Sequence, residues 1–310
     1  MTSAQSTQGF ITATFGRRYQ VGLGATLAAA LRSGAPIDCV ARGKKREAAC
    51  GDQVELTLTG QGTAVIEAIV PRTSLVWRAD AYKQKMLAAN VTQMALILAG
   101  KPSFSDELLT RALCAAEAAS IKAIIVLNKC DLEADTALAQ RQLAPYAALG
   151  YEIVPLAATQ SVARLLAHLK GHTTLLLGQS GMGKSTIVNT LVPSAAAHTR
   201  EISEALDSGT HTTTSARAYV VDGIEQACVI DTPGFQEFGL SFLDRPALDQ
   251  SFREIAPLAN QCRFSDCKHG PEPGCAVRAA VDTGSMTARR HALHQRIAHE
   301  IDYARAVHHR

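Results

Sequence analysis

Gly178-Gln179-Ser180-Gly181-Met182-Gly183-Lys184-Ser185-Thr186 is the stretch whose reading decides the fold. It fits G-x-x-x-x-G-K-[ST], in which the glycines let backbone N–H groups turn toward a phosphate. Ahead of it, Thr173-Thr174-Leu175-Leu176-Leu177 lies between Gly171 and Gly178 and predicts a short buried strand. Behind it, Thr186 to Leu191 predicts a helix with Ile187, Val188 and Leu191 toward a core. A strand–loop–helix unit sets the phosphate at a helix N-terminus, where the backbone adds partial positive charge. All nine residues are therefore candidate nucleotide contacts. Lys184 is the cation for the β- and γ-phosphates, and the Ser185 hydroxyl is a ligand for Mg²⁺.

The base is read upstream. The apolar run Ala123-Ile124-Ile125-Val126-Leu127 predicts a second buried strand, and it ends at Asn128-Lys129-Cys130-Asp131. The Asp131 carboxylate can accept from both guanine N1–H and the exocyclic amine. Adenine would leave it unpaired, and such a site discriminates strongly. The Lys129 stem can cover the base plane, and Asn128 can tie this turn to the phosphate loop.

Downstream, Cys228-Val229-Ile230 predicts a strand leading into Asp231-Thr232-Pro233-Gly234. Asp231 suits Mg²⁺ through water, and the Gly234 N–H suits the γ-phosphate. Between the two motifs lies Gly209-Thr210-His211-Thr212-Thr213-Thr214, read as a switch loop in which Thr213 completes the Mg²⁺ shell. A glutamine commonly follows D-x-x-G and orients the attacking water. Here the residue is Phe235, so His211 is the candidate to position water, beside Lys184 and Thr213 as catalytic groups. An ordinary GTPase meets the guanine motif last. In this chain it comes first, so the core reads as circularly permuted.

With these motifs the chain resembles the ribosome small-subunit-dependent GTPase A family of bacterial ribosome-assembly factors. Ala41-Arg42-Gly43-Lys44, Ala89-Asn90-Val91, His211-Thr212-Thr213-Thr214, Asp231-Thr232-Pro233-Gly234-Phe235 and a late cysteine/histidine cluster carry the likeness over nearly the whole length. Two positions depart from the family pattern. The serine–alanine segment at the base is Ala157-Ala158, with contact from the backbone N–H, and Gln53 stands where a tryptophan is common. The resemblance implies GTP and GDP as ligands, the small (30S) ribosomal subunit and its rRNA as partners, and hydrolysis on the particle that drives release or serves as a checkpoint. It also implies a monomer.

Several short β-rich segments punctuated by glycines over residues 1–72 predict a small β-barrel. The resemblance makes it an OB-fold. Arg42, Lys44, Lys45 and Arg46 form a basic run between strands, where such barrels bind nucleic acid. Residues 73–243, with alternating strands and helices, predict the permuted P-loop α/β GTPase domain. Residues 1–90 carry a charge balance of +5, residues 91–243 one of −4 and residues 244–310 one of +2, so the basic excess flanks the GTPase and points to a polyanionic partner.

Cys262-x₄-Cys267-x-His269-x₅-Cys275 gathers three thiolates and an imidazole within fourteen residues, the donor set of a closed, structural Zn²⁺ site. Residues 244–310 are thus expected to be a mainly helical zinc-binding domain. Ser285 to Arg310 predicts a helix with Leu293, Ile297, Ile301 and Ala304 on one face and Arg289, Arg290 and Arg296 outward, Arg289 and Arg290 being candidate RNA contacts. The N-terminal residues lack the pattern of a secretory signal, no apolar run approaches the ~18 residues a bilayer span needs, and the other cysteines are scattered. A soluble, cytoplasmic protein is expected. The contrasting reading is an RNA-binding zinc protein that holds GTP as a clamp without useful turnover; Ser185, Thr213 and Asp231 together favour a hydrolase.

Overall fold

A computed structural model describes residues 7–42, 48–79, 84–195, 216–234 and 236–308. Five strands open the chain: β1 (Thr7–Phe15), β2 (Arg18–Leu23), β3 (Ile37–Ala41), β4 (Gln53–Gly60) and β5 (Thr63–Ile69), with helix α1 (Leu27–Arg32) after β2. Their order is β1-β2-β3-β5-β4, and β4 pairs back onto β1 through Thr7–Leu56 and Phe10–Gln53. Closure leaves no free sheet edge. Ile11, Val21, Val54, Leu56 and Ile66 point inward with no exposed surface, the period-2 pattern of a one-sided strand. Tyr19 is buried among them.

A hairpin of β6 (Leu75–Ala79) and β7 (Gln84–Ala89) follows, an element the sequence reading did not anticipate. Then come β8 (Gln93–Ala99), α2 (Asp106–Ala118), β9 (Lys122–Asn128), α3 (Glu133–Ala148), β10 (Glu152–Pro155), α4 (Ala163–Leu169), β11 (Thr173–Gly178), α5 (Lys184–Leu191), β12 (Arg217–Val220) and β13 (Cys228–Asp231). The sheet runs β10-β9-β8-β11-β13-β12, parallel throughout except for β12. Every residue of β8 is buried, as a strand covered by helices on both faces requires. Because the strands are parallel, their C-terminal ends share one rim, and the loops after β9, β10, β11 and β13 meet there. The Ser105 hydroxyl caps α2 by accepting from Leu108 N–H at 3.2 Å.

Barrel and sheet form one ladder, since β1 meets β12 at Ala13–Arg217. Around Gly51 the barrel also touches β7: a Cβ there would stand 2.2 Å from the Ala89 carbonyl oxygen. Asn90, at φ 54°, accepts from Thr73 N–H and donates to the Gly51 carbonyl, which fixes this seam.

The C-terminal part is helical: α6 (Arg245–Ser251), α7 (Ala276–Asp282) and α8 (Ala288–His308). Leu293, Ile297 and Ile301 are buried, as the pattern predicts. Arg290 corrects the expectation of an outward basic face. It is 4 % exposed, paired with Glu254 at 2.7 Å, bonded to Thr110 and stacked near Tyr146 and Phe252. A guanidinium loses so much hydration on burial that it needs such a partner set. Arg289 and Arg296 stay on the surface but reach α2, pairing with Asp106 and Glu107.

Candidate functional site

The guanine and phosphate motifs meet at the rim through Asn128. Its side chain is buried, donates to the Met182 carbonyl at 3.0 Å and accepts from Ala158 N–H at 2.9 Å. One amide thus braces three loops that lie far apart in sequence. Gly181 and Gly183 hold φ of 81° and 86°, which side chains disfavour. A Cβ on Gly183 would stand 2.3 Å from Asn128 Nδ2, so the brace itself demands glycine there. The brace engages the Ala158 N–H, which orders this loop.

Lys129 adopts φ 62° and donates from Nζ to the Lys101 carbonyl at 2.9 Å. Asp131 is exposed, and its carboxylate is open to a base. Gln179 Oε1 accepts from Ser105 N–H at 2.9 Å, tying the phosphate loop to the start of α2. The β11–β13 register places Leu176 opposite Asp231, which sets Asp231 beside the phosphate loop. Lys184 pairs with Asp231, so the cation and the carboxylate that the sequence assigns to phosphate and Mg²⁺ lie together. Ser185 is exposed beside them. Gly234 rests on the loop: a Cβ there would lie 3.4 Å from the Gly178 carbonyl oxygen and 3.6 Å from Ser180 N. This approach is what a γ-phosphate sensor needs. The anticipated contributions of His211, Thr213 and Phe235 fall outside the described residues, as do those of Lys44, Lys45 and Arg46.

The second site is the cysteine/histidine cluster. One donor atom from each of Cys262, Cys267, His269 and Cys275 lies within 4.8 Å of the others. Cys262 Sγ stands 3.9 Å from Cys275 Sγ, and His269 Nδ1 stands 3.5 Å and 3.7 Å from those sulfurs. A tetrahedron with Zn–S bonds of about 2.3 Å has S···S edges of about 3.8 Å, so the residues fit the ion. The other ring nitrogen of His269 faces Asp249 of α6 at 3.3 Å, and the second Asp249 oxygen takes His294 of α8 at 2.7 Å. Burial would raise the Asp249 pKa, but the two imidazoles outweigh it and hold it near about 2. A carboxylate on Nε2 directs Nδ1 to the metal and orients the ring. Asp249 and His294 escaped sequence reading because each is remote from the cluster, with no local signal.

Arg42 pairs with Glu67 at 2.9 Å while its side chain stays largely exposed. The turn Phe15-Gly16-Arg17-Arg18 was missed. All four residues are exposed, and the loop joining the first two strands is one that OB barrels use for oligonucleotides.

A guanine-nucleotide rim built from permuted motifs, set between a five-stranded barrel and a Cys₃His module, defines a circularly permuted GTPase. The model of the RsgA GTPase family matches residues 69–241. A small ribosomal subunit biogenesis GTPase RsgA of Burkholderia pseudomallei is 47% identical over 94% of this chain and 92% of its own length. The one of Paraburkholderia phymatum is 48% identical over 94% and 91%. Among solved structures, YjeQ from Thermotoga maritima superposes with a TM-score of 0.71 at 27% identity, covering 96% of this chain and 99% of that one. YloQ, described as a circularly permuted GTPase, gives 0.69 at 26% over 96% of each. The chain belongs to the RsgA GTPase family.

Proposed function

We propose that the chain hydrolyses GTP as an assembly factor of the small ribosomal subunit, binding its rRNA and using turnover to drive release or a checkpoint. The observation that carries the nucleotide half is the Asn128 brace, which joins the guanine turn, the Ala157-Ala158 loop and the phosphate loop into one rigid rim. The subunit half rests on the relatives that align over almost the whole chain, which are small ribosomal subunit biogenesis GTPases.

In this reading Asp131 selects guanine, Lys129 covers it, and residues 178–186 wrap the phosphates. Lys184 leaves Asp231 for the β- and γ-phosphates and offsets the charge that develops as the terminal phosphoryl departs. Mg²⁺ supplies further charge neutralisation there, and Ser185, Asp231 and Thr213 are the residues to hold it. The Gly234 N–H reports the γ-phosphate, and His211 positions the attacking water. Cys262, Cys267, His269 and Cys275 hold one structural Zn²⁺ per chain, since protein fills all four positions. RNA contacts fall to Arg42, Lys44, Lys45, Arg46, Arg289 and the β1–β2 turn.

No described helix is long and apolar enough to cross a membrane, and we place the protein in the cytoplasm as a monomer. We take the domain limits as 1–72, 73–243 and 244–310. The test is GTP turnover with and without purified small subunits. Strong stimulation supports the reading, and none at saturating subunits would overturn it.

A further inference from the structure

Two phenylalanines stand out among the exposed large hydrophobic residues, Phe15 at 39 % and Phe264 at 42 %. Each lies under an arginine: Arg217 is 5.4 Å from the Phe15 ring centre, and Arg263 is 5.5 Å from that of Phe264. Phe15 sits in the barrel turn that OB-folds use for nucleic acid. Phe264 has the same arrangement on a different scaffold, the loop between metal ligands Cys262 and Cys267.

Single exposed apolar residues are ordinary on protein surfaces, so the surroundings of Phe264 decide. Its loop is pinned on both sides. Arg263 N–H donates to the Gly274 carbonyl at 3.0 Å, and Cys267 N–H donates to the Phe264 carbonyl at 3.3 Å. Gly274, at φ 75°, leaves room for the arginine stem: a Cβ there would come within 2.9 Å of Arg263 Cβ. The ring is therefore presented from a short, rigid loop and loses little freedom on binding. Arg263 is exposed and has no acidic partner among the described residues. An apolar face beside an unpaired guanidinium suits a flat, electron-rich ring attached to a negative backbone. A protein partner's apolar pocket would have to desolvate that guanidinium without pairing it.

We propose that Arg263 and Phe264 form a stacking platform for one unpaired base of RNA, so that the metal loop grips single-stranded RNA by aromatic and guanidinium stacking. This rests on the reading that the chain binds small-subunit rRNA.

The test measures affinity of the full, zinc-loaded chain for purified small subunits. It compares wild type with Phe264→Ala, Phe264→Leu and Phe264→Tyr, with zinc content and basal GTP turnover as controls for folding. Stacking of one base corresponds to roughly a tenfold change. Phe264→Ala and Phe264→Leu should each lose about that factor, while Phe264→Tyr keeps wild-type affinity. Ultraviolet cross-linking should join residue 264 to an RNA base. Leucine serving as well as tyrosine, or a cross-link to a ribosomal protein, would mean an apolar protein contact and overturn the platform. Equal binding by Phe264→Ala would also overturn it while leaving the subunit reading intact. Failure of the wild type to bind subunits would remove both.

Discussion

The nucleotide rim and the cysteine/histidine cluster are both sets of ligand-binding groups held in loops, but they are assembled in opposite ways. The nucleotide residues span positions 128 to 234 and are brought together by parallel strands whose cores are fully buried. Their geometry is held by protein–protein hydrogen bonds, as those of Asn128 show. The metal ligands span positions 262 to 275, a stretch with no strand and no helix longer than a single turn before Ala276. Three thiols and an imidazole crowded there repel or compete for protons until an ion fixes them. One site is scaffolded by the fold; in the proposed zinc reading, the other relies on its ion for most of its scaffold.

The sharpest way to break that contrast is Cys275→Ala. Apparent binding energies for structural zinc run to about 10 kcal/mol or more in small modules. The variant should lose its metal and expose residues 256–286 to protease, while guanine-nucleotide affinity stays near wild type. Zinc analysis, limited proteolysis and GDP titration read the three outcomes. A matching loss of GDP affinity would show that the two regions are not independent.

The reverse experiment is Lys184→Ala. Removing a preorganised charge at the developing transition state costs roughly 100- to 1000-fold in rate. Single-turnover hydrolysis should fall by that much, with zinc content and melting behaviour almost unchanged. A rate within threefold of wild type would remove Lys184 from the chemistry.

Legibility in sequence follows the same division. The strand–loop–helix of the phosphate site and the guanine turn were readable because the backbone must reach a phosphate and a carboxylate must meet a base, and both demands fix local residue types. The cysteine spacing was readable because four ligands lie within one loop. The partners that support these sites were not. Asp249 lies thirteen residues before Cys262, on α6, and meets His269 only through tertiary packing. Arg290 follows Arg289 in a helix that looks basic outward, yet the two diverge because Glu254 waits across one face and Asp106 across the other. Among the described residues, β6 and β7 pair as strands only with each other, with a register shift between Val76 and Trp77, so no sustained alternation marked them.

Asp249→Asn sharpens the comparison at the level of support. The asparagine keeps the size and one acceptor but removes the charge that favours Nδ1 ligation by His269. Loss of such an outer partner typically weakens metal affinity by about 10- to 100-fold. Competition with a chelator should show that shift, with the cluster still forming at saturating zinc. Affinity equal to wild type would leave His269 oriented by the thiols alone.

The smallest effect is expected at Arg289, where the metal module meets the nucleotide half. Its guanidinium bonds both oxygens of Asp106, at 2.8 and 2.7 Å, and is 58 % exposed. That contact holds the Asp106 pKa below its ordinary value. A lowered folded-state pKa means the contribution is present above the unfolded value of about 3.9 and is lost as pH falls through the lowered one. At neutral pH an exposed pair contributes about 0–1 kcal/mol, so Arg289→Ala should barely move the melting temperature. Acid unfolding of wild type and variant should converge as Asp106 protonates. An RNA contact predicts a different signature: subunit affinity falls, and its dependence on salt becomes shallower by about one ion. If stability drops by several kcal/mol instead, Arg289 is a structural clamp between α2 and α8. If neither stability nor salt dependence changes, it does neither job, and the RNA-facing role passes from α8 to the barrel.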